Sequence, residues 1–289
     1  MTEKEALILL STFPAFTPNH LKLLLNYFET PLKIWEASSN ELIKTGLRKE
    51  KIINFIKHKN LFDALNKKEY FNRLNRLGIE VLTVSDRNYP QNLKQIEDKP
   101  FVLYVKGRLK KKDEKAIAVI GSRKMTNYGK VITERITSEL VKRKITIVSG
   151  LARGVDTEAH KVALFHSGRT MAVLGSGLDR IYPPENWELA EEISKRGALI
   201  SEFPLGYPPF PENFIQRNRI VSGLSKGILV IEGAERSGTL VTASYAANQG
   251  RSVFAIPGDI SSPFSFAPNF LIKNGAKVVT KGEDILEEL

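Results

Sequence analysis

The sequence predicts an α/β protein with a doubly wound, mostly parallel sheet, preceded by a small all-α domain. From residue 116 onward, short apolar segments alternate with segments of helical spacing, as in successive βαβ units. Several of the apolar segments end in glycine turns, at the end of a strand where open α/β sheets bind their ligands. Residues 3–60 instead show helical spacing, interrupted by proline and glycine.

The composition is that of a globular chain. It has 289 residues, 42% of them hydrophobic, which is enough for one large and one small domain. The absence of cysteine excludes disulfides, thiolate metal sites and a cysteine nucleophile, and it fits a cytoplasmic protein. The histidines lack metal-ligand spacing, so we expect no metal. No apolar run approaches the about 18 residues that span a bilayer, and we expect neither secretion nor membrane insertion.

The net charge of +11 favours a polyanionic partner. The excess is uneven: residues 1–112 contain 21 Lys and Arg against 12 Asp and Glu, whereas residues 113–289 contain 22 against 20. An anion bound in the glycine-rich half would therefore be held by local geometry and not by a broad positive field.

The N-terminal segment is predicted to form helices at 6–10, 21–28, 31–37, 39–44 and 50–57, with Thr17 and Ser39 near the N-caps. One interpretation is a packed bundle with a solvated lysine face. The other is a helix-hairpin-helix/SAM-like module, whose hairpin would present backbone N–H groups to a DNA phosphate. Residues 13–17 stand where that hairpin needs its two glycines and contain none, which disfavours direct contact of the hairpin with DNA. We assign residues 1–65 to this domain and 66–289 to the sheet domain.

The sheet domain is predicted to begin with a linking helix over 61–77 and two strands, at 79–84 and 101–105. The basic run Lys110-Lys111-Lys112 is interpreted as a solvated connector. Further strands are predicted at 116–120, 145–148, 170–174, 198–201, 227–232, 252–256 and 277–279, and a last helix at 283–288.

The first glycine turn, Gly121-Ser122-Arg123, lacks both the dinucleotide fingerprint G-x-G-x-x-G and the Walker A pattern. NAD binding and ordinary P-loop hydrolysis are therefore disfavoured, and we expect no cofactor. Two interpretations remain. The glycine makes a tight turn only, or the turn binds an anion through backbone N–H groups, the Ser122 hydroxyl and the Arg123 guanidinium.

The second glycine turn runs from Ser149 to Asp156 and opens a helix. Asp156 and His160 lie four residues apart on that helix and could form a catalytic pair. No serine-elbow motif or metal cluster accompanies them, which favours a structural role in helix capping and turn locking.

A third group combines an aromatic side chain with amides and cations, the combination that single-stranded nucleic acid requires. It comprises Asn213, Phe214, Arg217, Asn218 and Arg219. Alternatively, Phe214 belongs to the core, and Arg217 or Arg219 forms a structural ion pair. Nearby in the predicted sheet, Ser237-Gly238-Thr239 begins a helix with hydroxyl and N–H donors. Several loops with such donors at one edge favour a long anion over a single phosphate.

Together these motifs resemble the DNA-processing protein A (DprA, or Smf) family over residues 79–289. The similarity is carried by Gly121-Ser122-Arg123, residues 149–156, 181–186, 201–204 and 217–225, Arg236-Ser237-Gly238-Thr239 and residues 256–259. It implies a bacterial cytoplasmic protein that binds single-stranded DNA, independently of sequence, on an extended Rossmann-like fold. It further implies a homodimer that protects incoming DNA in natural transformation and helps load the RecA recombinase without catalysing a reaction.

The resemblance also implies a DNA site. By position, Arg123 and the pair Asn213-Phe214 correspond to the family's pocket, with Gly150 and Gly238 on its rims. The full set of expected DNA-binding residues is Gly121, Ser122, Arg123, Lys124, Gly150, Arg153, Asn213, Phe214, Arg217, Asn218, Arg219, Ser237, Gly238 and Thr239.

The chain departs from the family pattern at two places. Glu212 stands where members often have a basic residue. The sequence ends at Leu289, so we expect it to lack the C-terminal winged-helix-like domain that many members carry. The N-terminal module looks like the family's helical domain with a degenerate hairpin.

An enzymatic alternative is a nucleotide phosphoribohydrolase of the lysine-decarboxylase-like Rossmann group. Its motif P-G-G-x-G-T-x-x-E would fall on residues 232–242. The proline is missing there, and Thr242 occupies the position of the catalytic glutamate.

Overall fold

The computed structural model describes residues 1–13, 15–64 and 67–289. Within them, the N-terminal helices are α1 (Glu3–Ser11), α2 (Pro18–Phe28), α3 (Pro31–Glu36), α4 (Ser39–Ile43), α5 (Lys49–Ala64) and α6 (Lys67–Arg76). The strands are β1 (Ile79–Thr83), β2 (Val102–Gly107), β3 (Ala116–Ile120), β4 (Thr146–Ser149), β5 (Thr170–Val173), β6 (Ala198–Ser201), β7 (Gly227–Val230), β8 (Ser252–Ala255) and β9 (Lys277–Val278). The remaining helices are α7 (Gln91–Lys94), α8 (Asn127–Lys142), α9 (Val155–Phe165), α10 (Trp187–Arg196), α11 (Pro211–Gly223), α12 (Gly238–Asn248), α13 (Phe266–Lys273) and α14 (Glu283–Leu286).

The strands form a single sheet in the order β1-β2-β6-β5-β4-β3-β7-β8-β9. The β1–β2 and β2–β6 pairs are antiparallel, and every other pair is parallel. The predicted doubly wound, mostly parallel sheet with a helical region before it is confirmed. Because the strand order reverses between β3 and β7, the carboxyl ends of these two strands border the crevice where doubly wound sheets bind ligands.

The central strands are apolar because both of their faces are buried. All five residues of β3 are at most 6% exposed. Ala118 packs on one face with Val148 and Ile228, whereas Ile117 packs on the other with Ile147. Alternate residues of the strand thus pack in two separate core layers. This packing on both faces fixes the position of the strand ends and of the turns that follow them.

The N-terminal helices have a core of their own, in which Phe13 and Phe16 pack on Phe55 with ring centroids 5.6 and 4.8 Å apart. Two aromatic side chains of the segment that would correspond to a DNA-binding hairpin therefore pack in the bundle core. Pro14, within that segment, lies outside the described residues. The N-cap of α4 is Ser38 and not Ser39, and it forms a capping box with Glu41.

The helical region packs directly on the sheet. Leu7 and Ile8 of α1 join a cluster that contains Tyr104 of β2, and the Tyr104 hydroxyl lies 2.9 Å from the Ser11 hydroxyl. The predicted linking helix corresponds to the end of α5 and to α6. Residues 65 and 66, where the domain boundary was placed, lie outside the described residues, so the boundary stays a prediction. In the described ranges, no helix is both long and apolar enough to cross a membrane.

Candidate nucleic-acid interface

A cavity of about 650 Å³ lies at the carboxyl ends of β3, β4 and β7, and we call it the carboxyl-edge cavity. The turns after these strands, helix α11 and the first turn of α12 form its walls. Eleven of the fourteen predicted residues line it: Gly121, Ser122, Arg123, Lys124, Gly150, Phe214, Arg217, Asn218, Ser237, Gly238 and Thr239. The sequence motifs, although 118 positions apart at their extremes, thus converge on one site.

The first two glycine turns are fixed against each other. Gly154 has a φ of +74°, and a Cβ there would lie 2.2 Å from the Ser122 carbonyl oxygen, so only glycine fits. The same carbonyl accepts a hydrogen bond of 3.2 Å from Val155 N–H, and the Ser122 hydroxyl accepts one of 3.0 Å from Lys124 N–H. This network holds the backbone that places Arg123 at the cavity.

Arg217 forms the floor of the cavity as a buried cation, 3% exposed. Its Nη1 donates to the Val173 carbonyl at 2.6 Å, and a Cβ on Gly150 would meet that nitrogen at 1.8 Å. Burial lowers the pKa of Arg217 to about 10, an effect that the charge of Asp156 opposes, so the guanidinium stays protonated at neutral pH. Gly150 is therefore required here because a buried guanidinium occupies the space of its side chain.

Asp156 locks the second turn, since its Oδ2 accepts a hydrogen bond of 3.0 Å from Gly150 N–H. Burial raises the pKa of Asp156, and the charge of Arg217 opposes the rise. His160 does not bond to it: its Nδ1 lies 2.6 Å from the Thr170 hydroxyl. Burial, and secondly the charge of Arg217, lower the pKa of His160 to about 3. A neutral buried imidazole and an aspartate bonded to backbone fit a structural role and not an acid–base pair. Asp156 locks the turn, but the N-cap of α9 is Gly154, so Asp156 is not the helix cap that was predicted.

Phe214 presents a partly exposed ring inside the cavity. One edge of the ring packs on the backbone of Gly175, where a Cβ would lie 2.9 Å from Cδ1. The Arg123 guanidinium carbon lies 5.7 Å from the ring centroid, and the Tyr182 ring lies 5.4 Å away at 43°. Phe214 is thus anchored by the fold yet available for contact, with a cation and a second ring beside it.

The first turn of α12 closes the opposite wall. Ser237 is its N-cap without a side-chain capping bond, and the N–H groups of a first helical turn have no partner within the helix. The Asn218 amide approaches the Gly238 carbonyl at 3.5 Å, which links α11 to α12 across the cavity. The wall combines backbone donors with a positive helix dipole and suits an anion.

Three predicted residues do not line this cavity. Arg153 is exposed, pairs with Glu185 at 2.5 Å and borders a smaller adjoining cavity that it shares with Arg123 and Tyr182. Asn213 is 3% exposed and donates to the Pro208 carbonyl at 3.2 Å. These contacts make Asn213 a support for the loop that precedes α11.

Arg219 is directed away from the cavity. It is 3% exposed and pairs with Glu202 at 2.6 Å and with Asp98 at 3.2 Å. The alternative that one arginine of this helix forms a structural ion pair therefore describes Arg219. Since its guanidinium is already engaged by two carboxylates, we do not retain it, or Asn213, as a DNA contact.

The structure also adds residues that were not among the expected DNA-binding residues. Tyr182, which is 38% exposed, and Ile215, which is 51% exposed, line the cavity beside Phe214. The signal for Tyr182 was its place directly after a glycine loop, next to two prolines that stiffen the chain. Thr242 lines the cavity too, but its hydroxyl donates to the Gly238 carbonyl at 3.1 Å.

Comparison with known proteins gives a consistent result. The family model described as DNA recombination-mediator protein A matches residues 80–289. Protein Smf of Escherichia coli (strain K12) is 50% identical over 202 residues, which cover 70% of this chain and 54% of that protein. The chain thus spans about half the length of that relative.

Two solved structures match the fold. The X-ray structure of DNA processing protein A (DprA) from Streptococcus pneumoniae superposes with a TM-score of 0.87 and 33% identity, covering 100% of this chain and 98% of that one. A Helicobacter pylori DNA processing protein A, whose structure was determined for its single-stranded DNA binding mode, gives a TM-score of 0.65 and 29% identity. The match covers 72% of this chain and 94% of that one.

Proposed function

The chain belongs to the DNA recombination-mediator protein A family, and we propose that it binds single-stranded DNA in the carboxyl-edge cavity. The observation that carries the proposal is the Phe214 ring, partly exposed between the Arg123 guanidinium and the Tyr182 ring. Stacking on such rings requires unpaired bases. The single-stranded DNA binding mode described for the Helicobacter pylori relative supports the same ligand.

In this proposal, each wall contributes one kind of contact. Bases stack on Phe214 and Tyr182, while Arg123 and Lys124 contact phosphates from the exposed side of the cavity. Arg217 stays in the floor and adds positive potential, and the first turn of α12 contributes N–H donors near Gly238. Because every base has an aromatic face and every nucleotide a phosphate, these contacts bind single strands independently of sequence.

We further propose the cellular role that the family's description suggests, which is mediation of recombination. In this role the protein would protect incoming single strands during natural transformation and help load the RecA recombinase, in the cytoplasm. The names of the relatives as DNA processing proteins support this role. The assay is recombinase loading onto single strands with and without the protein.

We also propose that the protein acts by binding and not by catalysis. Of the acidic residues that the structure describes, only Asp156 lines the cavity, and it is bonded to backbone. Glu232 of the phosphoribohydrolase-like motif is 3% exposed and accepts a hydrogen bond of 3.0 Å from Thr126 N–H, so it holds the start of α8. Release of free base from nucleoside monophosphates, in proportion to protein, would instead establish the enzyme.

A homodimer is proposed from an apolar surface at α13, the α13 patch, which consists of Ile260, Phe266 and Phe270. Ile260 is 96% exposed, and Phe266 and Phe270, which are 40% and 46% exposed, stack with ring centroids 6.0 Å apart at 7°. Contiguous apolar surface of this kind is typical of interaction sites, and a second copy of the chain is the partner we propose.

The function is tested by measuring affinity for a labelled single-stranded oligonucleotide over a series of salt concentrations. Phosphate recognition predicts that log affinity falls linearly with log salt, with a slope of about −0.7 for each phosphate contacted. A flat salt dependence would contradict phosphate recognition, and absence of binding at low salt would contradict the function itself.

A further inference from the structure

The amino edge of the sheet, opposite the carboxyl-edge cavity, carries a dense set of exposed cations. The loops that precede neighbouring strands adjoin there: Lys226 N–H donates to the Ala116 carbonyl at 2.8 Å, and Thr146 N–H donates to the Lys115 carbonyl at 3.0 Å. We define the amino-edge basic surface as Arg87, Arg108, Lys110, Lys111, Lys112, Lys115, Lys144 and Lys226, all of which are exposed.

These cations lack acidic partners. Over the described ranges, none of them forms an ion pair with a carboxylate. Two acidic residues, Asp113 and Glu114, lie in the sequence between Lys112 and Lys115. Asp113 is neutralised by Arg169, whose Nε lies 2.5 Å from Asp113 Oδ1, and both side chains are buried. Glu114 is half-buried. The surface therefore has a strong positive excess, and it includes five of the 21 Lys and Arg of residues 1–112.

Part of this surface is concave. A cavity of about 360 Å³ lies between the loop that carries Arg87 and the turn that carries Lys110 and Lys111, and the amide side chains of Asn88 and Gln91 also line it. Asp113 and Glu114 are its acidic lining residues, and Asp113 is paired with Arg169. Cations and side-chain amides are the groups that contact phosphate and sugar in nucleic-acid complexes. A phosphate entering here would meet donors from two separate loops.

No ring is available for stacking in this cavity. Its aromatic residue, Tyr89, is 1% exposed, and its hydroxyl donates to the Pro100 carbonyl at 2.6 Å. The amino edge thus lacks the feature that makes the carboxyl-edge cavity suited to unpaired bases. Its cations can reach phosphates whether or not the bases are paired.

We propose that the amino-edge basic surface binds the sugar-phosphate backbone of duplex DNA. Duplex is the favoured occupant because it presents more phosphates per unit length than a single strand, and binding through backbone alone leaves its base pairs intact. The proposal goes beyond the function at the carboxyl edge. It gives the protein two separate nucleic-acid surfaces, one for unpaired strands and one for duplex.

The test compares a 20-base-pair duplex with a six-nucleotide single strand by fluorescence anisotropy at matched salt. The triple variant K110Q/K111Q/K112Q should bind the duplex at least ten-fold more weakly, with a log–log salt slope reduced by about 2 to 3. The short single strand should change less than two-fold. The variant K22Q/K44Q/K49Q removes three exposed lysines of the helical domain and is the matched control for net charge.

Each outcome decides the proposal. Duplex affinity that is unchanged in the triple variant, or equally reduced in the control, would overturn it. So would loss of duplex binding in Arg123→Ala, since the duplex would then occupy the carboxyl-edge cavity. If the triple variant does not fold, as judged by circular dichroism, K144Q/K226Q on two other loops must weaken duplex binding in its place. Failure of duplex binding alone leaves single-strand binding intact, so the two proposals are tested separately.

Discussion

The Arg123 guanidinium lies over the ring of Phe214, with Cζ 5.7 Å from the ring centroid. This contact occupies one face of the ring. An exposed cation–π contact contributes about 0.5–1 kcal/mol, whereas stacking of a base on an aromatic side chain contributes about 1–3 kcal/mol. Replacing the cation–π contact by base stacking is therefore favourable, and it frees the Arg123 guanidinium to bind a phosphate. The unbound arrangement holds both groups close to where the ligand needs them.

Phe214→Ala should weaken single-strand binding by about 1–3 kcal/mol through loss of stacking. Phe214→Leu is the matched variant, because it keeps an apolar group against Gly175 but has no ring. We expect both variants to bind weakly and Phe214→Leu to unfold nearly at the wild-type temperature. Equal affinity of Phe214→Leu and wild type would show that the ring packs the fold and does not contact DNA.

Gly150→Ala should destabilise the protein by about 1–3 kcal/mol, the range for an overpacked interior. The new Cβ would lie 1.8 Å from Arg217 Nη1, so the guanidinium must leave its bond to the Val173 carbonyl. Gly238→Ala is the control, since the nearest atom to its Cβ is the Asn218 amide nitrogen at 3.9 Å. Urea unfolding should separate the two variants, and equal midpoints would contradict the tight packing of Arg217 on the second turn.

The stability of the protein should fall on mild acidification because of His160. The pKa of His160 in the folded state is about 3, below the about 6.5 of an unperturbed histidine, so the unfolded chain binds a proton first. The free energy of unfolding is therefore unaffected by the titration of His160 above pH 6.5. As pH falls from 6.5 towards 3, protonation of His160 in the unfolded chain lowers the free energy of unfolding by about 1.4 kcal/mol per pH unit. Between pH 7 and 4.5, wild type should lose roughly 2 to 3 kcal/mol more than His160→Gln.

Chemical unfolding at several pH values measures this difference, and the substitution of the exposed His166 by Gln is the control. Parallel pH profiles for wild type and His160→Gln would show that the buried imidazole does not remain neutral in the folded protein.

Phe270→Glu should convert a dimer to a monomer, because a charge placed in the α13 patch must be desolvated when two copies associate. Sedimentation equilibrium measures the mass. Phe165→Glu changes a side chain that is 84% exposed outside the patch, and it should leave the mass unchanged. Dimers that persist in Phe270→Glu would place the interface elsewhere.

The fold was predictable to the level of each strand because the central strands are buried on both faces and therefore read as short apolar runs. The site was predictable in outline, since its glycine turns directly follow those strands. The sequence did not predict which of Arg217, Asn218 and Arg219 would line the cavity. Neighbouring residues of a helix differ by about 100° in direction, and only the packing of α11 decides that Arg217 meets the cavity while Arg219 meets Glu202.

Tyr182 was missed for a related reason. Its role depends on a loop that brings it to Phe214 across 32 positions of sequence. Its place after a glycine loop indicates a position near the binding edge of the sheet but does not indicate contact with Phe214. In the N-terminal helices, the interpretation as a packed bundle is the one that the burial of Phe13 and Phe16 favours.

The central claim is tested most directly by the affinity of Arg123→Ala for a six-nucleotide single strand at fixed low salt, beside Arg123→Lys. Loss of a charge-assisted contact predicts weakening by about 1.5–3 kcal/mol in the alanine variant. The lysine variant should recover only part of this, because an ammonium lacks the planar fork of the guanidinium. Wild-type affinity in Arg123→Ala, with the fold intact, would contradict single-strand binding at the carboxyl-edge cavity.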